Sequence, residues 1–144
     1  MTIKRSLLSI AIFFLMTVMI TAVAQAQPVY RGSIVNINNY TYNLSEITIS
    51  GNTVFHCRLQ DTLFTLPFDK VQSVTITAGG ESPYKGYVLA DFVLTTGNQA
   101  QVYLNIENYR IEGIEENFNI RVKFPLTEIQ SLQFIYDQQT TPSP

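Results

Sequence analysis

The 144-residue chain has one cysteine, one histidine, no tryptophan and only nine lysines and arginines. Each scarcity narrows what the protein can be. Cys57 has no partner for an internal disulfide, so packing must hold the fold. With a single histidine, any nucleophile-histidine-acid arrangement would have to use His56, and nothing around it suggests one. His56 and Cys57 cannot meet across a metal either, because successive residues of a strand point to opposite faces.

Basic charge is sparse and scattered, with only Arg121 and Lys123 close together. Removing Lys4 and Arg5 with the N-terminal leader described below leaves seven basic against eleven acidic residues, a charge near −4. That balance argues against a nucleic-acid partner. Long apolar runs are missing too, save one. It extends from Leu7 to Val23, broken only by Ser9, Thr17 and Thr21, and follows the basic pair Lys4-Arg5. Ala22-Val23-Ala24 and Ala24-Gln25-Ala26 come next, two small-x-small sites. This order reads as a secretory signal over residues 1–26, with cleavage after Ala24 or Ala26, the second favoured because Pro28 then follows the cut. The competing reading is a retained membrane anchor. No cysteine near the cut offers a lipid attachment point. The expected destination is extracytoplasmic, periplasmic or secreted, and the membrane is expected to meet the chain only through this segment.

About 118 residues remain after cleavage, enough for one ordinary domain. Phenylalanine and tyrosine are plentiful, which suits strands. Period-two alternation recurs, whereas helical periodicity does not. Phe55, Cys57 and Leu59 share one face, opposite His56 and Arg58. Ala100, Val102, Leu104 and Ile106 form another such face, and Ile120, Val122, Phe124 and Leu126 a third. Ser50-Gly51-Asn52 and Thr96-Gly97-Asn98 carry hairpin chemistry, since Gly and Asn tolerate positive φ. Residues 78–83 read as a linker. Residues 137–144 read as a polar, disordered tail.

Leu66-Pro67-Phe68-Asp69-Lys70-Val71-Gln72-Ser73-Val74-Thr75-Ile76 aligns without gaps on Phe124-Pro125-Leu126-Thr127-Glu128-Ile129-Gln130-Ser131-Leu132-Gln133-Phe134. Proline, glutamine and serine coincide, and every apolar position stays apolar. Tyr30-Arg31-Gly32 parallels Tyr84-Lys85-Gly86 upstream. The pattern predicts an internal duplication, with a first β half over 27–77 and a second over 84–136. In both copies the apolar spacing is helical for one step and strand-like for the next, so a short turn after the proline and then a closing strand are expected.

The stretch Pro125 to Phe134, of the form Pro-Leu-x-x-Ile-x-Ser-Leu-x-Phe and preceded by a Gly-Asn hairpin, resembles the closing element of uncharacterised exported bacterial β-proteins with small-barrel repeats. The resemblance covers about fifty residues per half. It implies a small-barrel-like half and a binding or structural role, and carries over no catalytic residue.

The candidate site residues are few. Asp91 interrupts an apolar run from Tyr87 to Leu94 and, if buried, needs a partner or a raised pKa. A solvated strand face, or pairing with Arg121 or Lys123, would account for it as well. Tyr40 and Tyr42 are expected to project together, as a platform for a sugar or peptide or as the cap of a small barrel. Glu112, Glu115 and Glu116 lack the alternation of a calcium loop and read as a solvated loop. Together these features predict an all-β exported protein of two related small-barrel or sandwich-like halves, as separate barrels or one fused sheet. It is expected to be non-enzymatic and without cofactor or metal. The expected role is interaction or envelope structure, for example by adding a strand of another envelope protein to an exposed edge. The alternative is a small-ligand or glycan binder.

Overall fold

The computed structural model describes residues 28–77 and 82–137. The expected signal with Ala24 and Ala26, most of the linker and nearly all of the tail lie outside the described residues. Ten strands follow one another: β1 (Arg31–Asn36), β2 (Thr41–Ile49), β3 (Val54–Leu59), β4 (Thr62–Pro67), β5 (Val71–Ile76), β6 (Tyr87–Leu94), β7 (Gln99–Asn105), β8 (Arg110–Glu115), β9 (Ile120–Pro125) and β10 (Ile129–Ile135). No α-helix occurs among the described residues. Alternation sets the inner face, as at Phe55 and Cys57 of β3 or Val102 and Leu104 of β7, all buried.

All ten strands form one antiparallel curled sheet, a half-barrel, in the order β4-β3-β7-β6-β5-β10-β1-β2-β8-β9. Of the two arrangements left open, separate barrels or sandwiches and one fused sheet, the chain adopts the single sheet. Its physical reason lies in the edges. Two open five-stranded sheets would leave four rows of unpaired backbone groups, and one continuous sheet leaves two. The order also reads the same from either end once each strand of the first five is exchanged for the one five places later. Consequently the β1-β2 hairpin pairs with β10 and β8, and β6-β7 pairs with β5 and β3.

The exchange has a centre. β5 and β10 pair as Ser73↔Gln133, Val74↔Leu132 and Thr75↔Ser131. Val74 and Leu132 are 58 residues apart, the same offset that aligns Leu66 on Phe124. Val74 thus faces its own counterpart, and Ser73 and Thr75 each face the counterpart of the other, the self-complementary register of a two-fold axis. The offset continues outward, where Gly32↔Leu44 on one side matches Ala90↔Val102 on the other.

Two expectations about local structure change. Thr96-Gly97-Asn98 does close a hairpin, between β6 and β7, with Gly97 at φ 90. Gly51-Asn52 does not. β2 and β3 are not neighbours, so this turn carries the chain from one half of the sheet to the other, as residues 106–109 do between β7 and β8. The acidic segment around Glu112 is strand rather than loop. Ile111, Gly113 and Glu115 face inward, and a Cβ at Gly113 would lie 2.9 Å from the Ser45 carbonyl oxygen. Tyr30-Arg31-Gly32 and Tyr84-Lys85-Gly86 also occupy different settings: Gly32 lies within β1, Gly86 in a turn at φ 82.

A 3-10 turn follows each of the aligned prolines, at Phe68–Lys70 and Leu126–Glu128, before the closing strands β5 and β10. Both turns bury their first residue. Phe68 sits among Phe55, Phe134 and Tyr30, with ring centroids 4.9, 4.9 and 5.3 Å away, and Phe92 packs on Phe55 at 5.4 Å. Each such ring contributes about 1.5–3 kcal/mol by leaving water. Tyr136 closes the cluster. Its hydroxyl donates toward the Phe68 carbonyl at 2.6 Å and also lies against that of Val71.

Burial, with Tyr30 and Asp69 nearby, pushes the Tyr136 phenol from 10.0 up to about 12. Below pH 10 both folded and unfolded chains keep this proton. Between pH 10 and 12 the unfolded chain loses it first, so this contribution to stability declines as pH rises. Cys57, raised from 9.0 to about 12 by burial, adds a decline of the same sign. Tyr136→Phe is expected to cost about 1 kcal/mol at neutral pH. Urea unfolding midpoints of the two proteins should converge between pH 10 and 12, and a constant gap would show that the hydroxyl is not held as described.

Candidate functional site

Asp91 lies exposed on β6, where Gln101 Nε2 on β7 donates to it at 3.0 Å. Arg121 and Lys123 are engaged elsewhere, with Glu46 at 3.3 Å and Glu112 at 3.7 Å. The tyrosines separate. Tyr42 packs on Phe124 with centroids 4.8 Å apart, whereas Tyr40, 64% exposed, stands in solvent. Glu116 pairs with Arg31 at 2.9 Å, and the buried Glu115 accepts the Phe118 backbone N–H at 2.8 Å. Asp91 and these glutamates sit in different parts of the sheet, with β5, β10, β1 and β2 between β6 and β8. They do not converge on one cleft. Among the described residues no three or more His, Cys, Asp or Glu side chains are grouped to hold a metal ion.

The feature that stands out is the outer edge of β4. β3 and β4 form a hairpin across Gln60-Asp61, with Leu59↔Thr62 as the closing pair. In an antiparallel ladder hydrogen-bonded and non-hydrogen-bonded pairs alternate from that closing pair. Cys57↔Phe64 and Phe55↔Leu66 are therefore bonded pairs, while Arg58↔Leu63 and His56↔Thr65 are not. The backbone N–H and C=O of Leu63 and Thr65 point away from β3, toward the open edge. Pro67, opposite Val54, falls at the next outward position and lacks an N–H, so the edge ends there.

Edge strands usually carry charges that discourage pairing with another chain. β4, Thr-Leu-Phe-Thr-Leu-Pro, has none, and Leu63 is 65% exposed. At the opposite end of the sheet, β9 carries Arg121 and Lys123. The two edges thus differ in kind. Phe64 and Leu66 on the inner side of β4 are only half-buried, which leaves apolar surface for a further strand to cover.

Beside this edge the outer face of β3 is capped by aromatic rings. The Arg58 guanidinium lies 3.9 Å over the Tyr84 ring, which meets Tyr103 edge-on at 5.1 Å. His56 stacks on Tyr109 at 4.7 Å with 19° between planes. Asn105, on the same outer side of β7, buries its Oδ1 without a hydrogen-bond partner among the described residues. No protein-family model matches the chain, and no curated protein does.

Sequence reasoning did not find β4. Leu63, Phe64 and Leu66 put apolar groups on both faces, so clean alternation is lost. The missing charge was a readable signal, but it acquires meaning only once the strand is known to lie at an edge. Cys57, by contrast, behaves as its neighbours foretold. It is 1% exposed between Phe55 and Leu59, and burial pushes its thiol up to about 12. At pH 8 it should react with a disulfide reagent about a hundredfold more slowly in the folded chain than in denaturant. Equal rates would place the thiol at the surface.

Proposed function

We propose that the chain is an exported, non-enzymatic interaction module that receives an extended strand of a partner protein along β4. The observation that carries this reading is the uncharged open edge of β4, set against the charged edge of β9. Backbone groups of Leu63 and Thr65 would supply the new ladder, and half-buried Phe64 and Leu66 would favour a segment with apolar residues at alternate positions. The leader read over residues 1–26 would deliver the module outside the cytoplasm. Its partner would then be another envelope protein. The small-ligand or glycan alternative through Tyr40 and Tyr42 is less favoured, because Tyr42 packs on Phe124 and leaves Tyr40 without a paired ring.

The sheet itself we infer to descend from a duplicated five-stranded unit. The offset of 58 residues that relates β1, β2, β4 and β5 to β6, β7, β9 and β10, the register centred on Val74 and Leu132, and the matching 3-10 turns support this. A self-complementary pairing is what two copies of one chain would have formed before fusion.

The edge can be tested in the full chain within its own envelope. A photo-crosslinking residue at Leu63 should give a discrete protein adduct, and the same probe at Arg121 should give none. Thr65→Pro removes only an outward N–H, so it should abolish the adduct while changing stability by less than about 1 kcal/mol. Equal adducts at both edges, or an adduct that survives Thr65→Pro in a folded chain, would contradict the proposal.

A further inference from the structure

The two-fold relation of the sheet allows one end of it to be compared with the other. At one end, Tyr30, Phe68, Phe134 and Tyr136 form the aromatic cluster described above, with the Tyr136 hydroxyl on the carbonyls of Phe68 and Val71. Fifty-eight residues away, the counterparts of Tyr30, Phe68, Val71 and Phe134 are Val88, Leu126, Ile129 and Ile76. Three rings are replaced by aliphatic side chains.

The backbone at the two ends is nevertheless alike. The Val71 N–H bonds the Phe68 carbonyl, and the Ile129 N–H bonds the Leu126 carbonyl. Thr95 N–H donates to Lys70 at 3.0 Å, and Ile37 N–H donates to Glu128 at 2.9 Å. What differs is the filling. A half-open cleft of about 410 Å³ lies between Ile37, Ile76, Val88, Ile106, Leu126 and Ile129. It includes the counterparts of all four residues around Tyr136. Asn39, Thr127 and Gln130 add polar groups to its lining.

We propose that this cleft binds a small para-substituted phenol, seated as Tyr136 is seated at the other end. The ring would pack on Ile76, Val88 and Leu126, and the hydroxyl would donate to the Leu126 and Ile129 carbonyls. Apolar walls with a few convergent polar groups suit a ligand of this size. A buried hydroxyl needs such an acceptor, and the Phe68 and Val71 carbonyls show that this turn geometry supplies one. The site is distinct from the β4 edge, and neither proposal depends on the other.

The test uses p-cresol, the tyrosine side chain alone, titrated into the full folded chain and followed by methyl chemical shifts. Saturable shifts at Ile76, Val88, Ile106, Leu126 and Ile129 are expected. Toluene, which lacks the hydroxyl, should bind about threefold to tenfold more weakly. Val88→Tyr with Ile76→Phe rebuilds two of the missing rings and should abolish binding, whereas Tyr136→Phe, at the opposite end, should leave it unchanged. The wild-type methyl shifts decide the question even where the refilled variant does not fold. Absence of saturable shifts at those methyls, or toluene binding as tightly as p-cresol, would overturn the proposal. So would binding of a capped tyrosine amide with none of p-cresol, since the groove would then take peptide rather than a small phenol.

Discussion

The pairing of β5 with β10 joins what the sequence separates. It sits at the middle of the ten strands, centred on Val74 and Leu132, and both residues are buried. Because its register is self-complementary, each closing strand finds the same environment across the seam, and whatever flanks β5 also flanks β10. On either side lies a hairpin from the other half of the chain: β6-β7 beside β5, β1-β2 beside β10. The shared core follows from this. Ile34 and Leu44 from the first half sit in one hydrophobic cluster with Phe92, Leu104 and Leu132 from the second. With no disulfide available, this interleaving is how a chain of modest length obtains one core instead of two marginal ones.

Two-fold related positions then carry different chemistry. One edge strand has two cations and the other has none. One end of the curled sheet is filled by rings and a phenol, while its counterpart keeps a cleft lined by aliphatic groups.

Much of the architecture was legible in the sequence because alternation reports a half-buried strand directly. β3, β7 and β9 were readable in this way, and the proline followed by a turn and a strand was readable at both 3-10 turns. What escaped was pairing. Gly51-Asn52 has the chemistry of a tight turn, but turn chemistry fixes local φ angles and not which strand lies beside which. Glu115 looked solvated by type, yet it caps a backbone N–H from an inward position on β8. Tyr42 and Phe124 lie on different strands and come together only through the sheet's curvature and pairing. Of the candidate site residues, Asp91 and Tyr40 proved exposed, and the β4 edge emerged only from the strand order.

Strand exchange across the seam is tested most directly by cutting the chain within residues 78–81 and studying the two fragments apart and together. If the sheet is built as described, neither fragment can complete a five-stranded half as a monomer. An equimolar mixture should then recover the native near-ultraviolet and amide spectra as a 1:1 complex. A fragment that folds cooperatively as a monomer by itself would contradict it.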